Sequence, residues 1–292
     1  MGRQSFLRLF LFVALTMTSC TNTKKIEVQG HRGFRGHYPE NTIMGFKKAA
    51  ELGVDVLELD ICISKDRQVV VSHEPFMNPV ICRTAEGNRI TPESALNYNI
   101  YRMNYEQVRA FDCGTLPHPD FPEQRKIKVS KPKLSDVFDA LIDDYPAMRY
   151  NIEIKADSRM DGIFTPEPKA YVDVVVSLLK AYQLEEKITL QSFDIRILEE
   201  IHDSAPEISI ALLVDHNETM DDKLATLTFK PEIISPDFSL LNAQNVADYQ
   251  DSGFLIIPWT VNSEDDLQRM IDARVDGIIT DYPNHLLDLL NK

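Results

Sequence analysis

The chain has 292 residues, 43% of them hydrophobic and 26% charged, with a formal net charge of −14. That length and apolar share can bury a large core, which excludes a disordered tail. The acidic balance excludes nucleic acid or an anionic membrane surface as the natural partner, and an anionic ligand would need locally gathered cations.

In the opening stretch "MGRQSFLRLFLFVALTMTSC", Arg3 and Arg8 flank the start of a mostly apolar run from Leu7 to Met17. That run is too short to span a bilayer and fits the apolar centre of a secretory signal. Its end, Thr18, Ser19 and Cys20, resembles a bacterial lipoprotein signal, in which cleavage leaves the cysteine as the lipid-bearing N-terminus. Ordinary secretion is the alternative. Residues 1–20 are therefore read as a signal and 21–25, "TNTKK", as a polar tether. The expectation is an exported lipoprotein facing the periplasm or cell surface, touching the membrane only through an anchor at Cys20. Loss of Arg3 and Arg8 takes the net charge from −14 to −16. Cys62, Cys82 and Cys113 remain, an odd number without C-x-x-C spacing, so neither a zinc cluster nor a disulfide framework is indicated. Cys82 and Cys113 could pair in an oxidising compartment, but packed or free thiols are the expectation.

From residue 26 on, short β-rich runs recur in the order "IEVQG", "VDVLELDI", "MRYNIEI", "KITLQ", "EISIALLV", "PEIISP", "FLIIPW" and "VDGIIT". Gaps such as "TIMGFKKAAELG", "KAYVDVVVSLLKAYQL", "FDIRILEEIH" and "SEDDLQRMIDARV" place apolar residues three or four apart, the spacing of amphipathic helices. About eight β-α units in succession predict an α/β fold of the (β/α)8 TIM-barrel class over residues 26–292. A doubly wound open sheet is the competing architecture, but "GHRGFRG" does not space its glycines as a dinucleotide-binding turn requires. The stretch 74–132 interrupts the alternation. It is rich in Pro, Asn, Arg and Glu, holds only a weak helix pattern over Tyr105 to Ala110, and reads as a small insertion subdomain.

Strand parity locates the chemistry. In "VDVLELDI", Val54, Val56, Glu58 and Asp60 share one face, and in "YNIEIKA" so do Asn151, Glu153 and Lys155. Active sites of such barrels lie at the C-terminal strand ends. Three converging carboxylates repel one another unless a cation compensates them, so Glu58, Asp60 and Glu153 are candidate ligands of a hard divalent ion. Ion pairing with arginine and lysine in the barrel mouth is the alternative.

His31 directly follows the first strand, between Gly30 and Gly33, and His73 ends the run "QVVVSH". Their imidazoles titrate near neutrality and suit proton transfer, although a lone histidine often has only a structural role. Arg32 offers a planar fork of donors to a phosphate, or to a nearby acid. In "PENT", Asn41 or Thr42 suits the cap of the following helix, and Glu40 reads as architectural.

These pieces match a known family: "HRGFRGHYPENT", "ELD", "VVVSHEP", "IEIK", "QSFD", "PWTVN" and "DGIITDYP", in that order from Val28 to Pro283. The chain resembles the glycerophosphodiester phosphodiesterases. The resemblance implies a barrel in which His31 and His73 are general acid and base and Glu58, Asp60 and Glu153 hold one divalent cation, Ca²⁺ or Mg²⁺. It further implies that Arg32 and Lys155 contact the phosphate, that Gln191, Phe193 and Trp259 line the pocket, and that 74–132 caps the glycerol end. The implied reaction is hydrolysis of a small glycerophosphodiester to sn-glycerol 3-phosphate and an alcohol. Two departures stand out: Glu74 follows His73 where the family usually has aspartate, and Arg67 occupies a turn position where it has glycine. A phospholipase C-like or D-like enzyme of the same barrel type and a non-catalytic, surface-tethered binder are the competing readings.

Overall fold

The computed structural model describes residues 25–291, so the signal segment, Cys20 and most of the tether lie outside the described residues. The strands are β1 (Glu27–Gly30), β2 (Val56–Ile63), β3 (Val69–Val71), β4 (Arg149–Ile154), β5 (Ile188–Ser192), β6 (Ser209–Val214), β7 (Ile233–Pro236), β8 (Leu255–Ile256) and β9 (Gly277–Thr280). All but β3 run parallel, in the order β8-β7-β6-β5-β4-β2-β1-β9. Backbone bonds from Asp276 N–H to the Ile256 carbonyl (2.9 Å) and from Ile279 N–H to the Pro258 carbonyl (3.0 Å) join the two ends. The sheet thus closes into the expected TIM barrel. The run "FLIIPW" yields only two ladder residues because Pro258 has no N–H to donate.

The helices are α1 (Ile43–Leu52), α2 (Pro92–Ala95), α3 (Tyr105–Val108), α4 (Leu134–Leu141), α5 (Pro168–Tyr182), α6 (Ile195–Ser204), α7 (Met220–Leu224), α8 (Ala243–Asp251), α9 (Glu264–Asp272) and α10 (Pro283–Leu290). Apart from α2 and α3, they follow the parallel strands in turn. Leu57, Leu59, Ile61, Ile152, Ile154 and Leu190 project outward into the main core beneath the helices, each contributing about 1.5–3 kcal/mol by burial. Thr42 starts α1 by accepting the Gly45 N–H at 3.1 Å, and Gly53 ends it in the left-handed region at φ 90°.

Inside the barrel the two halves differ. Gln29, Glu58, Asp60, Asn151, Glu153 and Gln191 form a buried polar half, whereas Ala211, Ile233, Ile257 and Ile279 pack together with Trp259 against them. Parity explains the division. Glu58 lies beside Asn151, Asp60 beside Glu153, and Glu153 beside Gln191 across successive strand pairs.

Residues 74–132 lie between β3 and α4. The Val71 N–H donates to the Pro132 carbonyl at 2.8 Å, drawing the two ends of the stretch together. Met77, Ile81, Ile90, Ile100, Val108 and Phe111 share an apolar cluster with Cys62 and Val70 of the β2-β3 hairpin. The pattern over 105–110 becomes the short helix α3.

The cysteines depart from expectation. Arg83 and Asp112 exchange backbone hydrogen bonds of 2.7 and 3.2 Å, which brings their neighbours Cys82 and Cys113 face to face, and these form a disulfide. Sequence spacing could not reveal this local antiparallel bridge. Cys62 is free and buried. Serine at both Cys82 and Cys113 is expected to cost about 2–4 kcal/mol, the usual contribution of a native bridge. The urea midpoint of the double variant checks this, and a midpoint equal to that of the oxidised wild type would contradict it.

Candidate active site

His31, Arg32, Glu58, His73, Glu153, Lys155, Gln191, Phe193, Leu213, Asp215 and Trp259 line one cavity of about 260 Å³ at the C-terminal mouth of the barrel. Asp60 lies directly beside it, paired with Lys155. The elements explain the convergence. His31 and Arg32 follow β1, Glu58 and Asp60 belong to β2, His73 follows β3, Glu153 belongs to β4 and Lys155 follows it, and Trp259 follows β8.

The turn after β1 is built around one carboxylate. Arg32 adopts φ 52° and Gly33 φ 89°. A Cβ on Gly33 would lie 2.8 Å from the Gly45 carbonyl carbon of α1, so glycine is required there. The turn aims the Arg32 N–H at Glu58 Oε2, 3.0 Å away. Glu58 Oε1 accepts from Gln191 Nε2 at 3.0 Å, and Gln191 in turn accepts from Asn151 at 3.1 Å.

Asp60 is clamped by Asn41, whose Nδ2 donates to Oδ2 at 2.8 Å. Of the two capping candidates, Thr42 therefore caps α1 while Asn41 serves the site. Glu40 accepts from Arg32 Nη1 at 2.8 Å and from Arg35 Nε at 2.6 Å, so it supports the residues of the site from behind.

Both sequence readings of the acid trio find support. Lys155 Nζ lies 3.1 Å from Asp60 and 2.7 Å from Glu153, and Arg32 Nε lies 3.2 Å from Asp60. Ion pairing thus neutralises part of the negative charge. Burial alone would raise the Asp60 carboxyl, but Lys155 and Arg32 outweigh it and hold the group well below the ordinary range. Glu58 has no such lysine, and burial together with the charges of Asp60 and Glu153 pushes it well above that range. Burial also raises Glu153, against the pull of Lys155.

A divalent cation fits this donor set. Glu58, Asp60 and Glu153 are buried, and one oxygen from each lies within 4.8 Å of the others. Oxygens about 2.3–2.6 Å from one shared calcium can stand up to about 5 Å apart, and the shorter bonds of magnesium would require a modest contraction. The dication would compensate the charge that makes Glu58 costly.

The two histidines are each held by a carboxylate. His31 Nδ1 lies 2.7 Å from Asp281 Oδ1, Asp281 Oδ2 accepts from Asn262 Nδ2 at 2.8 Å, and His31 Nε2 lies 3.9 Å from Glu58. Burial lowers the pKa of His31, although Asp281 pulls the other way. Burial would raise Asp281, but His31 and Arg35 hold it below the ordinary range. An ionised Asp281 keeps the proton on Nδ1 and turns the Nε2 lone pair toward the cavity. His73 Nδ1 lies 2.9 Å from Oε1 of Glu74, so the longer acid folds back onto its own neighbour.

Asp281 was not legible by residue type. It stands 250 positions from His31 in the chain and is one aspartate among many, and the motif "DGIITDYP" was the only hint. The 74–132 stretch contributes no side chain to the cavity lining, so it does not cap the site directly as the resemblance implies. It reaches the site through Arg35, whose guanidinium lies 4.6 Å over the Phe121 ring and whose carbonyl accepts from Gln124 at 2.9 Å.

Residues 31–285 match the glycerophosphoryl diester phosphodiesterase family. A glycerophosphodiester phosphodiesterase of Caldanaerobacter subterraneus subsp. tengcongensis is 32% identical over 92% of this chain and 99% of its own length. The solved structure of a candidate glycerophosphoryl diester phosphodiesterase from Silicibacter pomeroyi superposes with a TM-score of 0.83 at 28% identity, covering 91% of this chain and 93% of that one. An Oleispira antarctica phosphodiesterase solved with the product sn-glycerol-3-phosphate shares the fold, with a TM-score of 0.73, 20% identity and coverage of 91% and 97%. With its barrel, histidine pair and acid trio, the chain belongs to the glycerophosphoryl diester phosphodiesterase family and is a phosphoric diester hydrolase.

Proposed function

We propose that the protein hydrolyses glycerophosphodiesters to sn-glycerol 3-phosphate and an alcohol, with His31 and His73 exchanging protons and a divalent cation held by Glu58, Asp60 and Glu153. The observation that carries this reading is the meeting of both imidazoles, the acid trio, Arg32 and Lys155 around one small cavity. Cleavage of a phosphodiester builds negative charge on the non-bridging oxygens and on the leaving oxygen. A bound dication would supply Lewis-acid stabilisation of that charge. Arg32 and Lys155 add fixed positive charge on the same side and orient the phosphate. One imidazole removes the proton of the nucleophile, either water or the neighbouring glycerol hydroxyl, whose cyclic phosphate water then opens, while the other protonates the departing alcohol.

Trp259 walls the cavity away from the acids. The insertion acts on the glycerol end indirectly, by bracing Arg35 and with it Asp281. Export and anchoring through Cys20 complete the proposal, and the Cys82–Cys113 bridge supports an oxidising location.

Phosphorus NMR of glycerophosphocholine incubated with the protein and Ca²⁺ or Mg²⁺ tests the reaction. The diester signal should give way to sn-glycerol 3-phosphate with an equal amount of choline. An unchanged diester, or release of phosphocholine instead, would overturn the reading.

Asp281→Asn is expected to lower kcat by about 10- to 100-fold with little change in KM, since an amide can offer an N–H to Nδ1 and favour the wrong tautomer. Steady-state kinetics on folded variant decides it. A kcat within about twofold of wild type would remove Asp281 from the account.

A further inference from the structure

The cavity has two unlike ends, and the end away from the acids has a chemistry of its own. We propose that this aromatic end receives a positively charged head group, an alcohol bearing a primary or quaternary ammonium, and that Asp215 selects for it. The inference rests on the hydrolase reading above and names the substrate class within it.

The wall there is apolar and fixed. Trp259 spends its only polar atom on the Ser235 carbonyl, 2.8 Å from Nε1, so the indole carbons remain for the ligand. The Phe193 ring stands at 89° to it with centroids 5.4 Å apart. Two rings at right angles make a corner, and ring faces attract cations within about 6 Å. Phe193 already has Lys223 Nζ 5.3 Å from its centroid. Lys223 does not line the cavity, and its charge is met by Glu218 Oε2 at 2.5 Å.

Among the described residues, Asp215 is the one ionisable side chain lining that end. Glu218 is committed to Lys223 and to the Asp215 N–H, which it accepts at 2.9 Å. Asp215 Oδ1 is covered by the exposed His216 imidazole, its ion-pair neighbour, while the side chain as a whole is partly exposed and lines the cavity. A cationic head group would meet the negative charge that Asp215 brings to this wall and lay its methyl or methylene groups on the rings. A neutral polyol would gain no attraction from that charge, and an anionic head group would be repelled.

The test is kcat/KM for glycerophosphocholine, glycerophosphoethanolamine and glycerophosphoglycerol, measured as sn-glycerol 3-phosphate released by the full chain with Ca²⁺ or Mg²⁺ present. Wild type should favour the two cationic esters over glycerophosphoglycerol by about tenfold or more. Asp215→Asn should bring that ratio to about two or less, and Asp215→Lys should invert it, with thermal unfolding confirming that both variants fold. Equal values in wild type, or a preference that survives both substitutions, would overturn this inference and leave the hydrolase reading standing. No product from any ester would overturn the hydrolase reading and this inference with it.

Discussion

Alanine at His31 or at His73 is expected to lower kcat at least about a hundredfold while the protein stays folded, the usual scale for loss of a general acid or base. Neither side chain belongs to the cores that hold the barrel together. His31 sits after β1 with its Nδ1 on Asp281, and His73 is about one-third exposed at the rim, with its Nδ1 on Glu74. On the proposed mechanism each substitution removes a proton carrier rather than a structural support, and circular dichroism and unfolding midpoints should stay near wild type. A substrate with an acidic leaving group separates the two roles. Such a group departs without help, so the variant lacking the acid should recover most of its rate while the variant lacking the base should not. Near-normal turnover in both alanine variants would end the proton-transfer mechanism.

Chelation is the second large effect. Excess chelator should abolish turnover and added Ca²⁺ or Mg²⁺ should restore it, because the oxygens of Glu58, Asp60 and Glu153 lie close enough for one shared ion. The same groups fix the direction of the pH dependence. Burial, helped by neighbouring carboxylates, raises Glu58, and burial raises Glu153. Protons would therefore compete with a bound metal at these oxygens, and reactivation should need more metal as the pH falls. Lys155 adds a second competitor, since its ammonium lies 2.7 Å from Glu153 and 3.1 Å from Asp60. Lys155→Met should accordingly tighten metal binding even as it slows catalysis, a divergence that a purely structural lysine would not produce. Full activity in excess chelator would rule the metal out.

Much of this site can be read from strand parity. Glu58, Asp60 and Glu153 converge because alternate residues of a barrel strand face inward and β2 pairs with β4 in register. The eight β-rich runs each become a parallel strand because their outward residues fill the core under the helices. Contacts that depend on irregular backbone were beyond reach. Asn41 reaches Asp60 only because Asn41 itself adopts φ 55°, and Asp281 meets His31 only after the barrel closes between β9 and β1. The disulfide depended on a two-residue bridge in a stretch without regular pattern. The ion pairing of Lys155 was likewise hidden, because parity places it on the acids' face without saying whether it reaches for them or for a phosphate.

Titration of the metal-stripped protein with Ca²⁺ or Mg²⁺, with ion occupancy and sn-glycerol 3-phosphate release followed in the same samples, tests the account most directly. Activity should rise in step with the filling of a single site per chain, and Asp60→Asn should lose binding and turnover together. Turnover that runs at full rate while the site is empty, or an ion that binds as tightly in Asp60→Asn, would contradict it.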